Sequence, residues 1–452
     1  MKILTLSFVL IATILCAHGL SASPQAASPS ATAGQTAPVQ QSTSAAPAER
    51  PATRIITAYT LPPESYKKAK DIARSYLRFR LIGFAYSLLV LWFFLRSKWA
   101  VKYRGMAESV FENRFMQAVI FAPLFFVTMD ILQLPFGIYG QTQLRKYGLS
   151  VQGWGSWFSD WTKGELIGTI LCIPLLYLLF LVIRRSPHRW WLYFWAIVQP
   201  IGLLLFFAQP LIFDPLFHKF EPLEKKDAAL TASLENLVKQ SGEDIPKERM
   251  FWMGASEKET SLNAYVAGFG ASKRIVIWDT TIAKMNTAQI AFVVGHEMGH
   301  YVLNQTPKLM GFLSLLTFVA FYVVFRCVEW ALAKWGTAWT IRGVEDYAAT
   351  PCLLFILSVF FFVVTPIGST FSRHYEHQAD QYGLELTHGL TPDSGQVAAQ
   401  AFQILGEVSY DDPSPSALRV FLFYDHPAIP DRVQFSLHYD PWGEGTQPEF
   451  VK

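Results

Sequence analysis

The chain has 452 residues, 51% of them hydrophobic and only 16% charged, against roughly 25% charged in ordinary soluble proteins. That balance excludes a wholly soluble protein and points to one built into a lipid bilayer. A net charge of +3 and no Lys/Arg-dense run argue against a nucleic-acid partner, and four cysteines (Cys16, Cys172, Cys327, Cys352) without a Cys-x-x-Cys pair argue against a thiolate metal site or a disulfide framework.

Residues 1–22 have a lysine, an apolar core and then small residues, the layout of a secretory leader, with an uncleaved membrane segment as the alternative. From residue 23 the chain turns to Ala, Pro, Ser, Thr and Gln, so a disordered linker is expected over 23–62. The stretch "PPESYKKAKDIARSYLRFR" is basic and amphipathic and reads as a helix lying on the membrane surface.

Six apolar stretches follow, near 81–95, 115–134, 166–183, 190–213, 309–332 and 351–371. As helices, most are long enough to cross about 30 Å of hydrocarbon; the first is short and needs flanking residues to snorkel. A membrane helical domain is therefore expected over 63–213. The segments 214–308 and 372–452 have ordinary soluble composition. They frame a working domain over 214–440 that includes two further membrane helices, with 441–452 as a tail.

If the leader is exported, alternation puts the loops after Leu95, Ile183 and Leu332 inside. Two of these are basic, with Arg96, Lys98, Lys102 and Arg104 in one and Arg184, Arg185 and Arg189 in the other, as the positive-inside rule asks. The same count puts both polar segments on the exported face of a bacterial cytoplasmic membrane, although the basic run 67–80 then lies on the wrong side.

Within the polar segments, "NAYVAGFG" and "KRIVIWDT" are β-compatible runs joined by a tight turn around Ala271 and Ser272, a hairpin whose edge can pair with an extended peptide. Asn263, at its start, is a candidate to hydrogen-bond that peptide. Next comes "AFVVGHEMGHYVLNQ". In a helix, residues four apart share a face, so His296 and His300 reach one metal ion. Glu297, about 100° around the helix, is placed to act as a general base. Gly295 and Gly299 leave room for a substrate or strand to come close.

A third ligand is offered by "SRHYEHQADQYG". Glu376 is the better candidate, and Asp380, one turn on, can support a metal-bound histidine ring or donate a proton. His374 and His377 compete with Glu376 for the ligand role. Finally, "FLFYDHPAIPDRV" carries His426 and Arg432, either of which can stabilise an oxyanion.

Together "GHEMGH", "SRHYEHQAD", "SLNAYVAGF" with "KRIVIWDT", "DHPAIPDR" and the linking segment "LIFDPLFHKFEPLE" resemble the integral-membrane zinc endopeptidases of the CAAX prenyl protease type, over about residues 80–437. The resemblance implies one Zn2+ per chain, held by His296, His300 and Glu376, with Glu297 as general base and Asp380 as supporting acid. His426, Arg432 and Asn263 would position substrate or stabilise the transition state. It implies a mainly α, multi-pass membrane helical cage around a water-filled chamber, with a small α+β, gluzincin-like catalytic domain. The partners expected are a peptide or protein substrate and the bilayer. Two enzyme readings stand, a narrow maturation protease and a quality-control protease. A scaffold with a vestigial site is the reading from another class.

Overall fold

The computed structural model describes residues 54–268, 270–391 and 393–451; the leader expected at 1–22, and the linker as far as residue 53, lie outside the described residues. The longer helices, in chain order, are α1 (Pro63–Ser97), α2 (Trp99–Val110), α3 (Arg114–Tyr147), α4 (Trp154–Arg185), α5 (Trp190–Ala208), α6 (Ala228–Gln240), α7 (Thr287–Val302), α8 (Gln305–Trp339), α9 (Thr350–Thr387), α10 (Ser394–Ser409), α11 (Ala417–Phe423) and α12 (Ile429–His438). Four strands lie between α5 and α7: β1 (Lys219–Pro222), β2 (Met250–Gly254), β3 (Ala264–Ala267) and β4 (Arg274–Trp278).

Six described helical runs are long and apolar enough to cross a bilayer: α1, α3, α4, the run Trp190–Phe217 that begins with α5, α8, and the run Tyr347–Thr387 that contains α9. Each of the six expected apolar stretches falls within one of them. A helix suits this setting because it satisfies its own backbone groups where lipid cannot. Between the helices lies an aromatic core in which Phe94, Phe121, Phe125, Phe180 and Phe194 are fully buried. The chain is thus a multi-pass membrane helical cage carrying a small α+β domain.

Two expectations for the N-terminal part need correction. Residues 63–80 are not a separate surface helix; they are the first half of α1, which runs unbroken for 35 residues. Their apolar face is covered by protein rather than lipid. Ala69 and Ile72 pack with Leu149 and Tyr410, and Lys70 bonds Asp412 at 2.5 Å. Residues 54–62 are not a disordered linker either. Ile56 and Tyr59 are buried, and side-chain amides from α10 serve their backbone as a neighbouring strand would. Gln396 bonds the N–H and C=O of Ile56 at 2.9 and 2.8 Å, and Gln403 bonds those of Thr60 at 3.2 and 2.6 Å.

The strand order is β1-β2-β4-β3, with β2 and β4 parallel and the other pairs antiparallel. The expected hairpin is β3–β4, in register from Ala264 opposite Ile277 to Ala267 opposite Arg274. Gly268 leaves β3 with φ of 94°, and a Cβ there would lie 2.3 Å from the Ser272 carbonyl oxygen, so only glycine fits. β1 and β3 are the edge strands, and of the two it is β3 that packs beside α7.

The loops join at two ends. At one end, Arg104 of α2 pairs with buried Asp346, and Arg342 bonds Glu108 at 2.7 Å. Arg184 at the end of α4 reaches the Glu345 carbonyl there. At the other end, the turn between α3 and α4 joins the polar domain, with the Val151 N–H donating to the Lys258 carbonyl at 3.0 Å. The chemistry-bearing residues sit at this second end.

Candidate metal centre

Two helices build the centre. α7 starts cleanly because Asn286 and Gln289 form a reciprocal capping box. Its Gly295 and Gly299 face α9, not a substrate or strand as expected. A Cβ on Gly299 would lie 3.2 Å from the Cα of Ala379, and one on Gly383 would lie 3.0 Å from the His296 backbone nitrogen. Small residues on both helices thus set a near-contact approach of the two backbones. α9 is a single 38-residue helix that carries Glu376 and Asp380 beyond its apolar part.

The close approach brings His296 Nε2 to 3.3 Å from Glu376 Oε2 and His300 Nε2 to 3.8 Å from Glu376 Oε1. One ligand atom from each of these three residues lies within 4.8 Å of the others, and all three residues are buried. Both Glu376 oxygens are buried without a well-aligned hydrogen bond, and the groups nearest Oε2 are imidazole nitrogens, His426 Nε2 at 3.1 Å and His296 Nε2. A buried carboxylate surrounded by imidazoles is costly unless a cation, an imidazolium or a metal ion, meets it. The donor set, two imidazole nitrogens and one carboxylate, fits a borderline-soft divalent ion such as zinc, which takes that set in catalytic sites.

Around the three ligand candidates, the other expected residues take definite places. Asp380 Oδ1 is 2.7 Å from His296 Nδ1, on the far side of the ring from Glu376. Arg432, buried on α12, donates to both Asp380 oxygens, at 2.8 and 2.5 Å. Arg432 is thereby engaged as a clamp on Asp380. His426 comes in from the loop before α12, its Nδ1 2.9 Å from Asp425. Glu297 is half-buried on α7. Asn263 is half-buried where the chain enters β3; its N–H donates to Thr281 Oγ1 at 2.8 Å and its carbonyl accepts from the Trp278 N–H at 3.1 Å. His374 and His377 are exposed and outside the ligand cluster; the His377 ring lies on Phe435 instead.

The electrostatics of the two histidines differ. Burial works to lower the pKa of His296, but Asp380 and Glu376 outweigh it and hold the imidazole up at about 9. Burial dominates at His300 and brings it down to about 4. Buried Arg432 is held charged by Asp380, which outweighs its desolvation.

Sequence reasoning missed Gln305. This residue is 1% exposed, and its Oε1 lies 2.6 Å from His300 Nδ1. No spacing rule singles out an amide, so the only signal was its place at the end of the stretch that carries both histidines.

Comparison with known proteins agrees with this geometry. Residues 224–439 match peptidase family M48, and residues 48–219 match the CAAX prenyl protease N-terminal region, described as five membrane helices. The "Uncharacterized metalloprotease YhfN" of Bacillus subtilis is 34% identical over 383 residues, covering 82% of this chain and 87% of that protein. "CAAX prenyl protease 1" of Saccharomyces cerevisiae is 26% identical over 349 residues, covering 72% and 76%. The crystal structure of S. mikatae Ste24p superposes with a TM-score of 0.71 at 21% identity, over 96% of this chain and 97% of that one.

Proposed function

Since the chain belongs to peptidase family M48 and carries the membrane region of the CAAX prenyl proteases, and is therefore a multi-pass membrane metalloendopeptidase, we propose that its metal is a single zinc ion held by His296, His300 and Glu376. The observation that carries this reading is the convergence of His296, His300 and Glu376 from two helices, all three buried, with one ligand atom of each within 4.8 Å of the others. When bound, zinc supplies Lewis acidity, which polarises a peptide carbonyl and acidifies a water.

The chain's own residues do the rest. Glu297 takes a proton from the attacking water and returns it to the departing amine. His426 Nε2, facing the ligand carboxylate, is the donor for the oxyanion. Arg432 holds Asp380, and Asp380 receives the Nδ1–H of His296, which turns Nε2 toward the metal position. Asp380 thus supports a ligand rather than donating to the leaving group. An extended peptide pairs with edge strand β3, beside α7, with Asn263 at the strand's entry.

Glu297→Gln is expected to keep the metal at one equivalent and lose about 10²–10⁴-fold in kcat for peptide hydrolysis. Metal analysis and a chelator-sensitive cleavage assay on the purified variant check this, and full activity would overturn the role of Glu297.

We also propose that the centre faces the exported side. The basic loops with Arg96, Lys98 and Lys102 and with Arg184, Arg185 and Arg189 lie at the opposite end of the cage. Glu257, well exposed at the catalytic end, provides the test. A Glu257→Cys variant should react with a membrane-impermeant maleimide in intact cells, whereas labelling only after lysis would reverse the orientation.

A further inference from the structure

Of the two histidines at the centre, His296 has Asp380 behind its ring. The group behind His300 is a different kind. α7 ends at Val302, Asn304 takes a left-handed conformation with φ of 52°, and α8 begins at Gln305. Asparagine is one of the few residues that visits this region at low cost. The reversal brings the buried side chain of Gln305 back against the helix it has just left, with Oε1 2.6 Å from His300 Nδ1.

The Gln305 amide continues into a chain of polar side chains. Its Nε2 donates to Gln378 Oε1 at 3.2 Å, and Gln378 Nε2 in turn faces His374 Nε2 at 3.4 Å. A His300 that ligates through Nε2 carries its hydrogen on Nδ1, and Oε1 is the Gln305 group able to meet an N–H, which is the orientation present here. With Oε1 as an acceptor, Nδ1 of His300 must carry the hydrogen. Its Nε2, the atom turned toward Glu376, then keeps a bare lone pair.

We propose that Gln305 is the positioning residue of ligand His300, fixing its tautomer and ring orientation as Asp380 does for His296. The inference rests on the reading of His300 as a metal ligand. It makes the centre asymmetric, with one ligand backed by a buried ion pair and the other by a neutral amide. α8 also becomes part of the metal site, because its first residue orients a ligand before the helix enters the bilayer.

The test is the zinc dissociation constant of the full-length protein in detergent, by competition with a chromophoric chelator. Gln305→Leu should weaken zinc about 10–100-fold, the usual cost of losing such an outer partner. Gln305→Glu, which restores an acceptor, should recover affinity to within about threefold of wild type on the same scale. An unchanged constant in Gln305→Leu, while His300→Ala loses the metal, overturns the proposal and leaves the metal site standing. Full metal retention in His300→Ala overturns the metal site itself. If Gln305→Leu does not fold, nitrogen-15 histidine spectra of the wild-type metal-free protein decide. A His300 signal of the Nδ1–H tautomer supports the proposal, and one of the Nε2–H tautomer overturns it.

Discussion

At the scale of single residues, the centre depends on who stands behind each ligand. Before metal binds, His296 is held protonated up to about 9 by Asp380 and Glu376, whereas His300 is already neutral above about 4. A metal bound as proposed must therefore displace a proton from His296 alone near neutral pH. Because the pKa is raised, the competing proton is bound below about 9 and lost above it. The apparent zinc affinity should rise with pH, close to tenfold per unit, between about pH 6 and pH 8, and level off near pH 9. Chelator competition across that range checks it; a flat profile would mean that His296 does not carry that proton. The sequence made His296, Glu297 and His300 legible, because a period of about 3.6 residues per turn puts positions four apart on one face. Glu376 and Asp380 were legible as a second such pair. The partners of these pairs were not. Nothing in the spacing of Arg432 or Gln305 says that one clamps Asp380 and the other abuts His300, since both contacts are made by folding and not by local periodicity.

At the scale of elements, the approach of α7 to α9 sets the ligand geometry. Gly383 is the tightest point, where an added Cβ would meet the His296 nitrogen at 3.0 Å and Phe292 at 3.2 Å. Gly383→Val should force the helices apart, cost about 1–3 kcal/mol through overpacking, and weaken zinc binding. Gly295→Ala serves as the contrast, because its Cβ would meet Gly383 Cα at 3.4 Å, close to ordinary contact. Equal Tm and metal affinity in the two variants would show that the contact at Gly383 is not limiting. The apolar spans were all legible as long hydrophobic runs, yet the extent of α1 was not. Its basic first half reads as an interfacial helix until Asp412 is known to receive Lys70. Likewise, residues 54–62 look unable to order until the amides of Gln396 and Gln403 supply the missing strand partner.

At the scale of the whole molecule, the polar domain is assembled from segments far apart in the chain. The N-terminal strap packs on α10, the first half of α1 on the region near Asp412, and the C-terminal residues on Glu385. That carboxylate, 3% exposed, accepts the N–H groups of Glu449, Phe450 and Val451 at 3.0, 2.7 and 2.7 Å. Composition marked the two polar segments as one working domain, but it carries no information on such long-range closures. One feature of this assembly reaches into the bilayer. His296 and His300 sit on α7, which does not cross the membrane, while Glu376 sits on α9, which does. The third donor is thus mounted on a lever arm. Pro366 interrupts the hydrogen-bond ladder of that helix, and Glu376 lies 376 − 366 = 10 residues further on, roughly 15 Å at about 1.5 Å per residue. A tilt of about 2° about such a pivot moves the carboxylate by about 0.5 Å, more than twice the tolerance of about 0.2 Å on metal–ligand distances. Helices tilt to match bilayer thickness. Metal affinity should therefore vary with acyl-chain length when the protein is reconstituted in lipids of graded thickness, and a constant affinity across the series would show that the arm does not move. A protease whose arm moves in this way would be mechanically loaded by the lipid around it.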